Sequence, residues 1–297
     1  MKTVFERLVR FSDPSGKIFY GEAPKEADDE KTLVGRVVPV YDGENPWDLK
    51  GHAGGRRSAE IAKVLVPIPS APLIYGIGLN FKSHLAETSF PVLSHPTVFT
   101  KPCPGALTDP YSPVYVSKEC QRMMDYEGEL AFVIGQDCKN VGTKEEGEGM
   151  VMGYTAGNDV SCRYWQAPER CGGQHGYAKG MDGFAPLGPV LVSPAALLGA
   201  QEGERERKSI TLTTTVNGEE RQRVEGVLED LLFGVGELVV YLSRGTTLRK
   251  GTVVMTGTPG GVAAFMKPEP KWLEDGDVVE VRIGGIGTVR NEHVFED

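Results

Sequence analysis

The chain has 297 residues, 40% of them hydrophobic and 25% charged, with 32 Lys and Arg against 41 Asp and Glu for a net charge of −9. Those fractions exclude wholesale disorder, and no apolar run approaches the ~18 residues of a membrane span. The acidic balance argues against nucleic acids and anionic membranes as partners. The 38 glycines and 20 prolines promise many turns and close backbone approaches.

Residues 4–11 and 17–21 alternate like strands around the turn cluster Asp13-Pro14-Ser15-Gly16. Residues 22–34 are acidic and polar, and 42–58 are loop-like. Pro67, Pro69 and Pro72 then interrupt the chain. They place a boundary near residue 70, between a small β-rich N-terminal domain (1–70) and a larger domain (71–297). Strand signals follow at 73–78, 113–117, 128–135 and 150–156. Residues 210–216 and 219–224 flank Asn217-Gly218, which suits a type I′ hairpin turn. Residues 227–244 carry the i, i+3, i+4 rhythm of an amphipathic helix. Gly234 and Gly236 are placed to split or bend it, and Gly245 to stop it. Strands return at 252–256, 277–283 and 287–290. Strands outnumber helices without regular βαβ alternation, so a mixed-sheet α+β fold is expected.

Five segments carry candidate chemistry. In 123–135, strand alternation puts Asp125, Glu127 and Glu129 on one face and Tyr126, Leu130, Phe132 and Ile134 on the other. A half-exposed strand with solvated acids would look the same. Ala131 and Val133, however, continue the acidic face as apolar, so the strand runs inward, and buried carboxylates in a row need a cation. Oxygen-only ligands favour Mg²⁺, Mn²⁺ or Ca²⁺ over zinc. Asp159 ends a strand-like run shortly before Arg163 and Gln166, and could equally be a turn residue. His84 and Glu87 are i, i+3 neighbours on a short helix. A carboxylate there fixes the imidazole tautomer and raises its basicity, as a general base requires; a surface pair is the alternative. Lys179, between an apolar residue and a glycine, could approach an anion or point to solvent. Gly257 and Thr258 belong to a post-strand loop whose N–H groups could form an anion nest or a plain tight turn.

Other patterns lead nowhere. No helix can follow Gly284-Gly285-Ile286-Gly287, which excludes a dinucleotide loop. His52, His95, His175 and His293 have no metal-ligand spacing. Cys103, Cys120, Cys138, Cys162 and Cys171 are odd in number and lack CxxC spacing, as expected of free thiols in a reducing compartment. The N-terminus has no apolar signal core, so a cytoplasmic protein is expected.

In order along the chain, GLNFKSHLAE, DYEGELAFVIG, GNDVSCR, AKGMDGFAPLGP, LTTTVNGEERQ, LSRGTTLRKGTVVMTGTPGGV and LEDGDVVEVRIGGIGTVRN resemble the fumarylacetoacetate hydrolase family, over about residues 70–297. The resemblance implies a mixed-sheet β-roll, commonly in a homodimer, and a divalent metal, Mg²⁺ or Mn²⁺, held by Glu127, Glu129 and Asp159. It implies a His84–Glu87 dyad on a mobile lid, Lys179 as partner of the substrate carboxylate or enolate, and further contacts from Arg163, Gln166, Gly257 and Thr258. The implied activity is on a 2-oxo or 2,4-diketo acid through a metal-stabilised enolate. C–C hydrolysis of an acylpyruvate-like substrate is the expected outcome, with oxaloacetate-type decarboxylation or keto–enol isomerisation as alternatives and a non-enzymatic metal-binding protein as a distant third. Two departures bear on the substrate. The family's Asn-Thr-Ser after the hairpin is absent from Gln222–Glu229, and Tyr164 replaces a common Asp.

Overall fold

Strand signals dominate the sequence, and the chain gathers them into two large sheets. The structure is a computed structural model that describes residues 3–51, 57–88, 90–199 and 209–297; part of the 42–58 loop, with His52, lies outside these. We number the principal strands β1 (Arg7–Ser12), β2 (Ile18–Glu22), β3 (Ile74–Gly78), β4 (Thr97–Lys101), β5 (Val114–Val116), β6 (Gly128–Ile134) and β7 (Val151–Asn158). They continue with β8 (Ala185–Val192), β9 (Thr211–Val216), β10 (Glu219–Glu225), β11 (Val253–Met255), β12 (Val278–Ile283) and β13 (Gly287–Phe295).

The larger sheet has ten strands, with β2-β1-β8-β7-β6-β11-β3-β4 as its main path. The second has five, in the order β10-β9-β12-β13-β5. Most neighbours are antiparallel, but β11 pairs parallel with β3 and β13 parallel with β5. The fold is thus α+β with mixed sheets, as expected. Among the described residues no helix is long and apolar enough to cross a membrane.

β6 explains why its sequence reads as a continuous apolar run: every residue is buried. Leu130, Phe132 and Ile134 enter one core with Tyr154, Ala156 and Leu212. Ala131 and Val133 enter another with Leu187, Leu191 and Met255. The sheet is therefore covered on both faces, and alternation chooses between two cores rather than between core and water. The second sheet crosses close to the start of β6. A Cβ on Gly128 would fall 2.1 Å from Thr214 Oγ1 of β9, so only glycine fits between the two acidic residues.

The hairpin turn is as expected, with Asn217 and Gly218 both at positive φ (51° and 81°) between Val216 and its partner Glu219. The 227–244 rhythm resolves into two helices, Val227–Asp230 and Val235–Leu242. Gly234 caps the second, its N–H donating to Glu237 Oε2 at 2.8 Å. Several short helices were not legible, among them Glu30–Leu33, capped by Asp29 within the acidic 22–34 segment, and Lys144–Gly149, capped by Thr143. Within the first 70 residues, β1 pairs with β8 and with Lys63–Leu65, so the N-terminal segment shares the large sheet.

Register brings four strand ends together. Gly128 at the start of β6 lies opposite Asn158 at the end of β7. Ala131 faces Met255 at the end of β11, and Met255 faces Gly76 near the end of β3. The candidate residues emerge from that edge.

Candidate active site

Glu127, Glu129 and Asp159 converge there. One carboxylate oxygen from each lies within 4.8 Å of the others, and all three residues are buried. The backbone fixes them: the Asp159 N–H donates to the Glu127 carbonyl at 2.9 Å, and the Glu127 N–H to Asn158 Oδ1 at 3.0 Å. Glu129 Oε2 accepts from the Gly257 N–H at 2.8 Å. Gly257 sits at φ +99°, and a Cβ there would press to 3.0 Å on the Ile77 carbonyl and the Asn80 Cβ. This loop glycine therefore aims its N–H at a carboxylate of the protein. Thr258 is similarly engaged, donating to the Gly128 carbonyl (2.9 Å) and accepting from Gln222 Nε2 (2.7 Å).

Asp125 does not belong to this triad. The strand breaks after it: Met124–Asp125 pairs with Ser161–Cys162, and Tyr126 packs in a third core rather than with Leu130. Asp125 accepts from the N–H groups of Tyr126 and Ala263, each at 2.8 Å, and from Arg163 Nε at 2.7 Å. A single face over 125–129 would need one unbroken strand, and these contacts hold the chain out of it.

Three cations surround the acids, Lys101 and Lys179 buried and Arg163 largely so. Lys179 Nζ lies 2.6 Å from Asp159 Oδ2 and 2.9 Å from Glu127 Oε2. Arg163 bridges Asp125, Glu127 (2.6 Å from its second terminal nitrogen) and Gln166 Oε1 (2.7 Å). Lys101 is fully buried, 2.5 Å from Asp159 Oδ1, and donates to the carbonyls of Lys179 (2.6 Å) and Phe184 (2.8 Å). Burial alone would raise the Glu127 carboxyl, but Lys179 and Arg163 hold it well below the usual carboxylate range. Glu129 makes none of these ion pairs. Burial first, then Asp159 and Glu127, push its carboxyl well above the usual range. Burial opposes the charge on Lys179, yet Asp159 and Glu127 outweigh it and raise the ammonium.

Four buried carboxylates thus meet three cations, and Lys101 and Lys179 each hold one oxygen of Asp159. A three-carboxylate donor set with one negative charge in excess fits a hard divalent cation.

His84 and Glu87 lie on the Lys82–Glu87 helix, with Nδ1 2.9 Å from Glu87 Oε1. A carboxylate only accepts, so Nδ1 carries the proton and Nε2 is left as a lone pair. Glu87 is fixed in turn by the Gly261 N–H (2.8 Å), and Ser83 anchors the helix to Asp230. His84 faces a cavity of about 690 Å³ that Glu127, Arg163, Gln166, Lys179 and Thr258 also line. Glu87 and Gly257 lie behind that lining. Lys101, Gln222 and Asn80 are buried supports to which the sequence assigned no role; Asn80 and Gln222 stand within quoted motifs and Lys101 in none. The signal for Lys101 was its place at the end of Thr-Val-Phe-Thr-Lys, a β-rich run between Pro96 and Pro102.

Comparison with known proteins bears on this arrangement. Residues 73–294 match the family model described as fumarylacetoacetate (FAA) hydrolase C-terminal. The chain belongs to this family. An oxaloacetate tautomerase of Bacillus subtilis is 38% identical over 229 residues, 76% of this chain and 71% of that protein. A 2,4-didehydro-3-deoxy-L-rhamnonate hydrolase of Sphingomonas is 35% identical over 227 residues, 76% of this chain and 75% of its own. The crystal structure of a 2-hydroxyhepta-2,4-diene-1,7-dioate isomerase from Mycobacterium marinum superposes with a TM-score of 0.77 at 29% identity. It covers 98% of this chain and 99% of its own. The likeness to this structure thus spans the first 70 residues as well as the stretch that the family model matches.

Proposed function

We propose that this protein is a divalent-metal-dependent enzyme of the fumarylacetoacetate hydrolase family that hydrolyses a C–C bond in an acylpyruvate-like 2,4-diketo acid. The observation that carries the proposal is that His84, oriented by Glu87, lines the same cavity as Glu127 of the buried three-carboxylate cluster. Glu127, Glu129 and Asp159 would hold Mg²⁺ or Mn²⁺, which when bound supplies Lewis acidity toward the 2-oxo acid oxygens.

The chain's own residues account for the rest. Lys179, charged and lining the cavity, offsets the negative charge of the substrate. Arg163, Gln166 and Thr258 line the cavity; Arg163 and Thr258 are largely engaged with the protein, so they orient Glu127 and the strand end as well as bounding the substrate. His84 Nε2 takes a proton from water, and Glu87 stabilises the imidazolium. The hydroxide adds to the C4 carbonyl and the C3–C4 bond breaks. Its electron pair moves into the C2–C3 unit as the enolate of pyruvate. The proton on His84 then passes to C3, giving a carboxylic acid and pyruvate, so one water is consumed.

Keto–enol tautomerisation of oxaloacetate is the second reading. It is favoured by the similarity to the Bacillus subtilis oxaloacetate tautomerase. The same imidazole would then move a C3 proton with no water adding to a carbonyl. A panel of acylpyruvates and oxaloacetate, followed by NMR with Mg²⁺ and with EDTA, separates the two. Cleavage to pyruvate and an acid is expected for an acylpyruvate. Enolisation of oxaloacetate without cleavage of any acylpyruvate would favour the second. No turnover of any 2-oxo acid with Mg²⁺ or Mn²⁺ would sink both. The proposal also includes a cytoplasmic homodimer in which residues 1–70 form a small N-terminal domain docked on the 71–297 catalytic domain. Sedimentation tests the stoichiometry, and limited proteolysis near residue 70 the division.

A further inference from the structure

A second imidazole lines the cavity that His84 faces. His175 is the N-cap residue of the Gly176–Lys179 turn. It stands four residues before Lys179, on the same side of that turn, and both line the cavity. Its ring packs against Phe99 with centroids 6.0 Å apart. Its Nδ1 is sealed from solvent and has no hydrogen-bond partner. Leaving such an atom unpaired carries the desolvation penalty of a buried polar group, and each one in a folded protein calls for an explanation.

The sealed Nδ1 decides the tautomer. A neutral ring places its proton where it can be satisfied, and nothing on the Nδ1 side can accept it. Burial, reinforced by the positive charge of Lys179, lowers the pKa and keeps the ring neutral. The proton therefore sits on Nε2, on the edge that faces the cavity.

The surrounding wall shows what that N–H is for. Arg163 is engaged by Asp125, Glu127 and Gln166, and Thr258 by Gly128 and Gln222. Much of the remaining lining is apolar, including Ile77, Leu79, Phe90, Met123, Phe265 and Trp272. In a mostly apolar cavity a few fixed polar groups set orientation and specificity.

We propose that His175 is a specificity-determining residue whose Nε2–H donates to the substrate oxygen remote from the 2-oxo acid head, the 4-oxo group of a 2,4-dioxo acid with an apolar tail. This deepens the function proposed above and rests on the site accepting 2-oxo acids. A site built to hydrogen-bond an oxygen rejects the analogue that lacks it.

The test uses the full chain loaded with Mg²⁺ and two ligands of equal chain length, a 2,4-dioxo acid and its 2-oxo analogue without the 4-oxo group. Calorimetric affinity for both ligands, and KM for the 2,4-dioxo acid, are measured for wild type, His175→Phe and His175→Gln. His175→Phe should weaken the 2,4-dioxo acid by about tenfold or more while changing the 2-oxo analogue less than about twofold, and His175→Gln should recover most of the loss. Equal loss for both ligands, or none for either, overturns the assignment. If His175→Phe fails to fold, ¹⁵N-imidazole spectra of the wild type decide. An Nε2 shift with the 2,4-dioxo acid and none with the analogue supports the assignment, and identical spectra overturn it. Failure of wild type to bind either ligand overturns the 2-oxo acid reading itself, and the His175 assignment with it.

Discussion

Lys101 supports the candidate site, and His84 is the residue proposed to act in its chemistry. Lys101 is fully enclosed and ties Asp159 to the carbonyls of Lys179 and Phe184, so it couples one acid of the triad to the loop that carries Lys179. Burial pulls its ammonium pKa down against the pull of Asp159, so its charge depends on that partner. Removing one member of a buried pair leaves the other uncompensated, and Lys101→Met should cost about 3–5 kcal/mol. Urea denaturation with EDTA present reads this directly; a loss under 1 kcal/mol would mean that Asp159 is adequately paired by Lys179 alone. His84 carries the opposite kind of prediction. His84→Ala should lower C–C cleavage by about 10²–10⁴-fold with Mg²⁺ affinity by calorimetry nearly unchanged. Unchanged turnover would remove the imidazole from the reaction. Glu129→Ala should instead abolish Mg²⁺ binding, because Glu129 is the acid whose charge no buried cation balances; full magnesium occupancy by elemental analysis would contradict that role.

Among the elements, β6 was the most legible and also the most misleading. Its apolar run showed that it was buried, and Glu127 just before it with Glu129 inside it raised the expectation of a cation near its start. What the sequence could not carry was the break at Tyr126. Period two is the only local signal over 123–129, and the competing force is long-range: Asp125 is captured by Arg163 and by N–H groups from residues 263 and 264. For the same reason Gln222 and Lys101 escaped notice, since their partners lie far away in the chain. The 227–244 helix divides where its glycines stand, because local signals and tertiary packing agree there. Gly128 tests how tightly the two sheets meet at the site. A methyl group there would meet Thr214 Oγ1 at 2.1 Å, and overpacking of this kind costs about 1–3 kcal/mol. Gly128→Ala should lower the melting temperature, and Thr214→Ala in the same chain should restore part of the loss, as expected for residues in contact. Strict additivity of the two changes would show that the sheets do not meet at this point.

At the scale of the whole molecule, an acidic protein that balances most of its buried charge also encloses an uncharged imidazole in its interior. His293 of β13 is fully buried. Burial is the dominant cause that lowers its pKa, from 6.5 to about 4. The fold thus holds the neutral ring, while the unfolded chain binds a proton below its ordinary value. Stability from this residue is fully present above pH 6.5 and is lost progressively as pH falls toward 4, because the unfolded state binds more protons in that window. At about 1.4 kcal/mol per pH step, the loss is about 3 kcal/mol. His293→Leu retains the volume and removes the titration. Its unfolding free energy should therefore fall less steeply than that of wild type between pH 6.5 and 4, with the carboxylate contributions common to both. Parallel stability curves for the two proteins across that range would show that protonation of His293 is not coupled to unfolding.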